Sequence, residues 1–293
     1  MFPAKKVKVV ECPRDAMQGW PVFIPTQRKI AYLDALLQCG FDTVDFGSFV
    51  SPKAIPQLAD TKEVVRGLDL TGTSSKLLAI VANKRGGEEA MVFDEINCIG
   101  FPFSVSPTFQ QRNTNSTLND SFELVEELQN LCTKNQKELV VYISMGFGNP
   151  YGDAYSPDLV SEWVERIVGI QVTTISIADT VGLATPAEVG AVMNTLIPAY
   201  PNVEIGVHLH SSPVNWQAKV DAALQAGCTR FDGALKGIGG CPMAGDDLVG
   251  NMDSELMVSY FDQLKLVDGI RLNEVRIAAA MASQIFVPAG KNY

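Results

Sequence analysis

The sequence predicts a (β/α)8 barrel. Short runs rich in Val, Ile and Leu alternate with helix-like runs eight times, with no linker or low-complexity segment between them. The units average roughly 36 residues, the size of one βα unit in such a barrel. After the first strand-like run stands Pro13-Arg14-Asp15, where a doubly wound nucleotide-binding sheet, the alternative architecture, usually carries a glycine-rich turn.

Residues 7–12 form the first predicted strand, followed by a helix over 26–38 with apolar positions at Ile30, Leu33, Leu36 and Leu37. Residues 43–49 are the second strand, with a helix near 60–68. Residues 77–82 are the third, with a short helix near 87–92. The fourth covers 96–101. An expanded loop over 100–117 follows, its part from 108 strongly polar, and then a long helix over about 118–132. Residues 139–145 are the fifth strand. Ser156-Pro157 opens the next helix, an N-cap with proline in the first turn. Residues 173–177 are the sixth strand, and Thr185-Pro186 opens another helix in the same way. The seventh strand covers 203–210, with a helix near 214–226. The eighth covers 230–234, with helices near 254–264 and 272–286. The whole chain, 1–293, reads as one domain, a barrel over about 7–265 with C-terminal helices over 266–293.

Bulk composition narrows the function. A net charge of −10 argues against nucleic acid or anionic lipid as a partner. No apolar run approaches a membrane span, and no leader segment is expected ahead of the first strand. The six cysteines, at 12, 39, 98, 132, 228 and 241, are scattered without a CxxC pair, which suits buried reduced thiols and a cytoplasmic setting.

The chemistry starts at His208-Leu209-His210, which contains both histidines of the chain. Alternation along a strand puts His208 and His210 on one side. In a barrel, reactive groups collect where strands end. Strand 1 ends in Arg14-Asp15, Asp45 and Ser48 lie on strand 2, Asp179-Thr180 end strand 6, and Lys236-Gly-Ile-Gly-Gly-Cys-Pro with Gly250-Asn251 follow strand 8. An Asp, two His and an Asn within reach of one another offer O, N, N and O donors, a set that prefers Mg²⁺ or Mn²⁺.

Pro-Arg-Asp-Ala-Met-Gln (13–18), Ser-Phe-Val-Ser-Pro-Lys (48–53), Asp-Thr-Val-Gly (179–182), His-Leu-His (208–210), Gly-Ile-Gly-Gly-Cys-Pro (237–242) and Gly-Asn (250–251) occur in this order. Over about residues 7–255 the chain resembles the 3-hydroxy-3-methylglutaryl-CoA lyases, metal-dependent barrel lyases. Arg-Asp and HxH are shared with isopropylmalate and homocitrate synthases and with 4-hydroxy-2-oxovalerate aldolases. The Gly-Gly-Cys-Pro loop is the narrower feature. The resemblance implies cleavage of 3-hydroxy-3-methylglutaryl-CoA to acetyl-CoA and acetoacetate. It implies Asp15, His208, His210 and Asn251 as ligands of a divalent cation, Mg²⁺ or Mn²⁺. Arg14, Asp15, His208, Cys241, Asp45 and Asp179 become the candidate catalytic residues. Arg14 would face the enolate oxygen, Cys241 would sit on a closing loop, and Asp45 and Asp179 would orient Arg14 or the substrate. An acyl-CoA thioester is the expected substrate and a homo-oligomer, dimer or larger, the expected assembly.

This chain departs from that pattern. Asp45 stands where the family usually has Glu, Ser211 follows HxH where Asp is frequent, and the segment from Cys241 to Asn251 is one residue longer. The expanded loop, with Phe101-Pro-Phe-Ser-Val-Ser-Pro, is expected to line the pocket with aromatic surface. Lys53, Lys84, Arg85 and Lys236 are candidate contacts for CoA phosphates. Two other readings stay open: a related aldolase or Claisen-type synthase, and an inactive barrel serving as a binding subunit.

Overall fold

The computed structural model describes residues 5–240 and 249–287. Eight parallel strands close into a barrel in chain order: β1 (Lys8–Glu11), β2 (Thr43–Ser48), β3 (Lys76–Ile80), β4 (Ile96–Ser104), β5 (Glu138–Ser144), β6 (Thr174–Ala178), β7 (Glu204–His208) and β8 (Arg230–Gly233). β8 returns to β1, with Lys8 opposite Arg230 and Glu11 opposite Gly233. Each parallel pairing requires a crossover, and helices supply it. α1 (Pro13–Gln18) and α2 (Thr26–Leu37) follow β1, α3 (Thr61–Gly67) follows β2 and α4 (Lys84–Met91) follows β3. α5 (Pro107–Thr114) and α6 (Leu118–Lys134) follow β4, α7 (Pro157–Gly169) follows β5, α8 (Pro186–Ala199) follows β6 and α9 (Trp216–Gln225) follows β7. α10 (Ser254–Gln263) and α11 (Leu272–Ile285) close the described chain. The eightfold alternation read from the sequence is the observed architecture.

Strand alternation separates two cores. Val9, Val44, Leu77, Ile99, Val141, Ile175, Val207 and Phe231 belong to the large cluster between barrel and helices. Leu78, Ile80, Cys98, Val140 and Tyr142 form the small cluster of the barrel interior. The amino-terminal end of the barrel is charged: Lys8 pairs with Glu204 at 2.6 Å and Lys76 with Glu138 at 2.9 Å. The predicted caps form, Ser156 accepting from Leu159 N and Thr185 sharing a capping box with Glu188. At the other end of the described chain, Phe286 meets Trp20 edge-on at 5.3 Å and ties α11 to the loop before α2.

Two expectations are corrected. The first strand ends at Glu11, so Arg14 and Asp15 stand on the helical turn α1, with Pro13 in its first turn. The stretch expected as an expanded loop is strand through Ser104 and helix from Pro107 to Thr114. Ser106 caps that helix by accepting from Phe109 N, and the Gln110 amide oxygen accepts from Ser104 N. Phe101 and Phe103 therefore do not line the pocket. They are fully buried against the helices, Phe103 4.9 Å from the Trp163 ring, while Pro102 between them faces the cavity.

Cys12, Cys39, Cys98, Cys132 and Cys228 are free and buried. Cys241 lies outside the described residues. Among the described residues no helix is long and apolar enough to cross a membrane.

Candidate active site

A cavity of about 400 Å³ opens at the carboxyl ends of the strands. Arg14, Asp15 and Gln18 of α1 line one side, and Tyr142, Ser144, Ala178, His208 and His210 line the floor. α5 contributes Phe109, Arg112, Asn113 and Thr114 to the mouth, and Arg112 stacks on the Tyr151 ring at 4.7 Å.

Arg14 is held on two sides. Its Nε donates to Asp45 Oδ2 at 3.0 Å and Nη2 donates to the same oxygen at 2.7 Å. Nη1 donates to Asp15 Oδ1 at 3.1 Å and to Gln18 Oε1 at 2.8 Å. Gln18 Nε2 donates back to Asp15 Oδ1 at 2.8 Å, closing a ring of three side chains on one turn of helix. Burial pushes the Asp45 carboxyl up to about 6, against the pull of Arg14. Burial acts the same way on Asp15, but Arg14, His208, His210 and the Asn251 hydrogen bond together leave it below the usual carboxylate range.

Asp15, His208 and His210 converge, one donor atom from each lying within 4.8 Å of the others. The segment after β8 carries Asn251 to them. Met252 N donates to Leu209 O at 3.2 Å and Ser211 N to Gly250 O at 3.0 Å, so His210 and Asn251 pair as an antiparallel bridge. Gly239 permits the approach: its φ is +100°, and a Cβ there would stand 2.7 Å from Asn251 Nδ2 and 2.9 Å from Ala16 Cα. Asn251 Nδ2 donates to Asp15 Oδ2 at 2.6 Å and to Ile238 O at 2.9 Å. With the amide nitrogen so committed, Asn251 Oδ1 is buried and has no hydrogen-bond partner among the described residues. Two imidazoles, a carboxylate held ionised and an orphaned amide oxygen fit a hard divalent cation. His210 Nδ1 lies 2.9 Å from Val249 O, and burial, with the neighbouring His208, lowers the pKa of its ring. For His208 burial acts in the same direction, but the Asp232 carboxylate, then Asp15, outweigh it and raise the pKa.

The structure thus brings Arg14, Asp15, Asp45, His208, His210 and Asn251 together. Asp179 does not meet Arg14. Its Oδ2 is 2.9 Å from Lys219 Nζ, and its Oδ1 accepts from Ala184 N at 3.0 Å. Lys219 Nζ also donates to His210 O at 2.7 Å, a buried cation beneath the site that the sequence reading missed. It missed Gln18 and Asp232 as well; Gln18 stands one helical turn after Arg14, whereas Asp232 meets His208 only across the β7–β8 pairing. Three of the basic residues proposed for phosphates meet carboxylates: Lys84 meets Glu127 at 3.4 Å, Arg85 meets Glu89 at 2.9 Å and Lys236 meets Glu255 at 2.5 Å. Lys53 is exposed.

The HMGL-like family profile matches residues 7–281 of this chain. The chain belongs to the HMGL-like family. It is 33% identical over 276 residues to hydroxymethylglutaryl-CoA lyase YngG of Bacillus subtilis (strain 168), a match covering 94% of this chain and 91% of the relative. It is 32% identical over 277 residues to (R)-citramalyl-CoA lyase of Chloroflexus aurantiacus, covering 92% and 86%. Among solved structures, an HMG-CoA lyase from Acinetobacter baumannii in complex with coenzyme A and 3-methylmalate superposes with a TM-score of 0.86 at 26% identity, over 98% of this chain and 97% of the other.

Proposed function

We propose that this protein is a carbon–carbon lyase that cleaves 3-hydroxy-3-methylglutaryl-CoA to acetyl-CoA and acetoacetate. The observation that carries the reading is the Arg14 guanidinium, held by Asp45 and Asp15 beside the Asp15–His208–His210 cluster, with all but Asp45 lining one cavity. Cleavage breaks the bond between C2 and C3 of the acyl group. The 3-hydroxyl gives up its proton, C3 becomes the ketone of acetoacetate, and the electron pair passes to the thioester as an enolate that is then protonated.

Asp15, His208, His210 and Asn251 would hold a divalent cation, Mg²⁺ or Mn²⁺, which when bound acidifies and orients the hydroxyl. Arg14 supplies a permanently charged planar donor set for the enolate oxygen. Asp45 fixes that plane before substrate arrives, so little reorganisation accompanies the reaction. Phe109 and Pro102 line the cavity with apolar surface that excludes water from the enolate. The relatives named for acyl-CoA substrates support a thioester substrate here. The net charge of −10 gives no help toward a polyanionic ligand, so holding the CoA phosphates falls to local basic groups such as Arg112 on the cavity wall.

A second substrate has a specific observation behind it. The citramalyl-CoA lyase is as similar to this chain as the hydroxymethylglutaryl-CoA lyases are, 32% against 33%. The test is acetoacetate release from 3-hydroxy-3-methylglutaryl-CoA by protein stripped with EDTA, then reconstituted with Mg²⁺ or Mn²⁺, beside pyruvate release from citramalyl-CoA. Acetoacetate that appears only after reconstitution supports the reading. Full activity in verified metal-free protein would remove the cation, and pyruvate release alone would replace the substrate.

A further inference from the structure

Beneath His208 the barrel holds polar groups that the lyase chemistry above leaves unused. His208 and Asp232 are opposite one another in the β7–β8 register, and both point into the barrel. His208 Nδ1 lies 3.4 Å from Asp232 Oδ2, and the Asp232 side chain is fully buried. Ser176 of β6 donates to the same oxygen at 3.2 Å, although β7 runs between the two strands. Gly206, opposite Ser176 in the register, makes this possible. A Cβ at Gly206 would stand 2.8 Å from Cβ and Cγ of Arg230, so the bare glycine lets the Arg230 side chain lie across β7. Stretched there, Arg230 places Nη1 3.3 Å from Glu204 Oε2 and Nε 3.8 Å from Asp232 Oδ1.

These groups are buried and under-satisfied. His208 Nδ1, Asp232 Oδ1, and Arg230 Nε and Nη2 have no hydrogen-bond partner among the described residues. Buried polar atoms are normally paired by protein or ordered water, so this concentration under one imidazole marks a polar support rather than plain packing. A carboxylate only accepts, and a neutral imidazole has one donor and one acceptor nitrogen. The nitrogen facing Asp232 must then be the N–H, which leaves the other free.

Building on the cation site proposed above, we infer that Asp232 is a positioning residue. It holds His208 as the Nδ1–H tautomer so that Nε2 faces Asp15 and His210, and Arg230 keeps its carboxylate in place. Carboxylate–imidazole–cation arrangements of this kind set ring orientation and ligand basicity, and removing the outer partner typically costs about 10–100-fold in metal affinity.

The chain's two histidines make the tautomer directly readable. Histidine-selective ¹⁵N labelling gives two rings, whose long-range ¹H–¹⁵N couplings identify the protonated nitrogen in metal-free protein, at a pH where both rings are neutral. In the wild type, His208 is expected as Nδ1–H. In Asp232→Asn the His208 pattern should change while that of His210 stays, and Mn²⁺ affinity by titration calorimetry should fall about 10–100-fold. A wild-type His208 protonated on Nε2 overturns the inference without any variant, which covers the case of a misfolded Asp232→Asn. An Asp232→Asn protein with an unchanged tautomer and Mn²⁺ affinity within twofold of wild type also overturns it. Wild-type protein that binds no Mn²⁺ would instead defeat the cation site, and the tautomer measurement would still decide the role of Asp232.

Discussion

Arg14 meets Asp45 along one edge, Nε and Nη2 both donating to Oδ2, while Nη1 turns to Asp15. One carboxylate on a barrel strand thus fixes the plane of a guanidinium standing on a short helix after another strand. Removing the donor set should strike the chemical step. Arg14→Gln is expected to lower kcat at least about 10²–10³-fold, the usual loss for one preorganised oxyanion donor. Mn²⁺ affinity should change far less, because Asn251 still holds Asp15. Steady-state kinetics with calorimetry decide the matter, and a loss of tenfold or less would show that Arg14 does not face the enolate.

Glu11 lies on β1, its side chain on the helix-facing side of the barrel. Its Oε1 accepts from Leu235 N at 2.9 Å, and Oε2 is buried without a partner among the described residues. Burial is the main cause that pushes its pKa from 4.5 up to about 8. A folded pKa above the unfolded one means that the protonated group's contribution is complete below about pH 4.5 and is lost as pH rises toward 8. Glu11→Gln keeps the acceptor but cannot ionise. Its stability relative to wild type should therefore rise between pH 5 and 8, by up to about 1.4 kcal/mol per pH unit. Urea unfolding of both proteins at the two pH values reads this directly, and a difference that does not move with pH would place the ionised form in the folded state.

Lys219 and Asp179 form an ion pair with both side chains almost fully buried, and Lys219 also supports the carbonyl of His210. Deleting one charge leaves the other uncompensated, at a cost of about 3–5 kcal/mol. Lys219→Met should lower the unfolding free energy by that order. Adding Asp179→Asn should return part of it, since the amide still accepts from Ala184 N and no lone charge remains. Additive losses across the double-mutant cycle would mean that the two residues contribute separately.

Period and caps made most of the barrel legible. Leu77, Leu78, Ala79 and Ile80 alternate between two cores, and Ser156-Pro157 and Thr185-Pro186 open helices as read. Ser106-Pro107 carries the same signal, and it opens α5 inside the stretch expected as an expanded loop. The strand continues through Pro102, paired with Tyr142 in the register, and the proline ring faces the cavity. Arg14, Asp15 and the two histidines were legible because strand ends carry the chemistry of a barrel. Lys219, Arg230 and Asp232 were not, since each meets its partner across a neighbouring strand or a helix far along the chain. The partner of Asp179 was hidden for the same reason: only the folded chain sets Lys219 against it.

The two candidate thioesters differ at the acid end alone. Citramalyl-CoA lacks the methylene that separates the hydroxyl-bearing carbon from the free carboxylate in 3-hydroxy-3-methylglutaryl-CoA, and both share the thioester and the bond that breaks. One methylene in a fitted site is worth about 1–3 kcal/mol, or roughly 10–200-fold. In the proposed mechanism Arg14, with Asp45 behind it, serves the thioester end, which the substrates have in common. Asp45→Glu extends the carboxylate by about 1.5 Å, enough to push the Arg14 plane out of register. The expected result is a fall in kcat/KM for both thioesters by one common factor, with their ratio kept within about threefold. Tyr142, Ser144 and Thr180 line the cavity beside the histidines, and the proposed mechanism leaves discrimination to them. Kinetics of wild type and Asp45→Glu on both thioesters make the comparison. A ratio that shifts more than tenfold in the variant would show that the Arg14–Asp45 pair reaches the acid end, and that the short Asp45 of this chain selects the substrate.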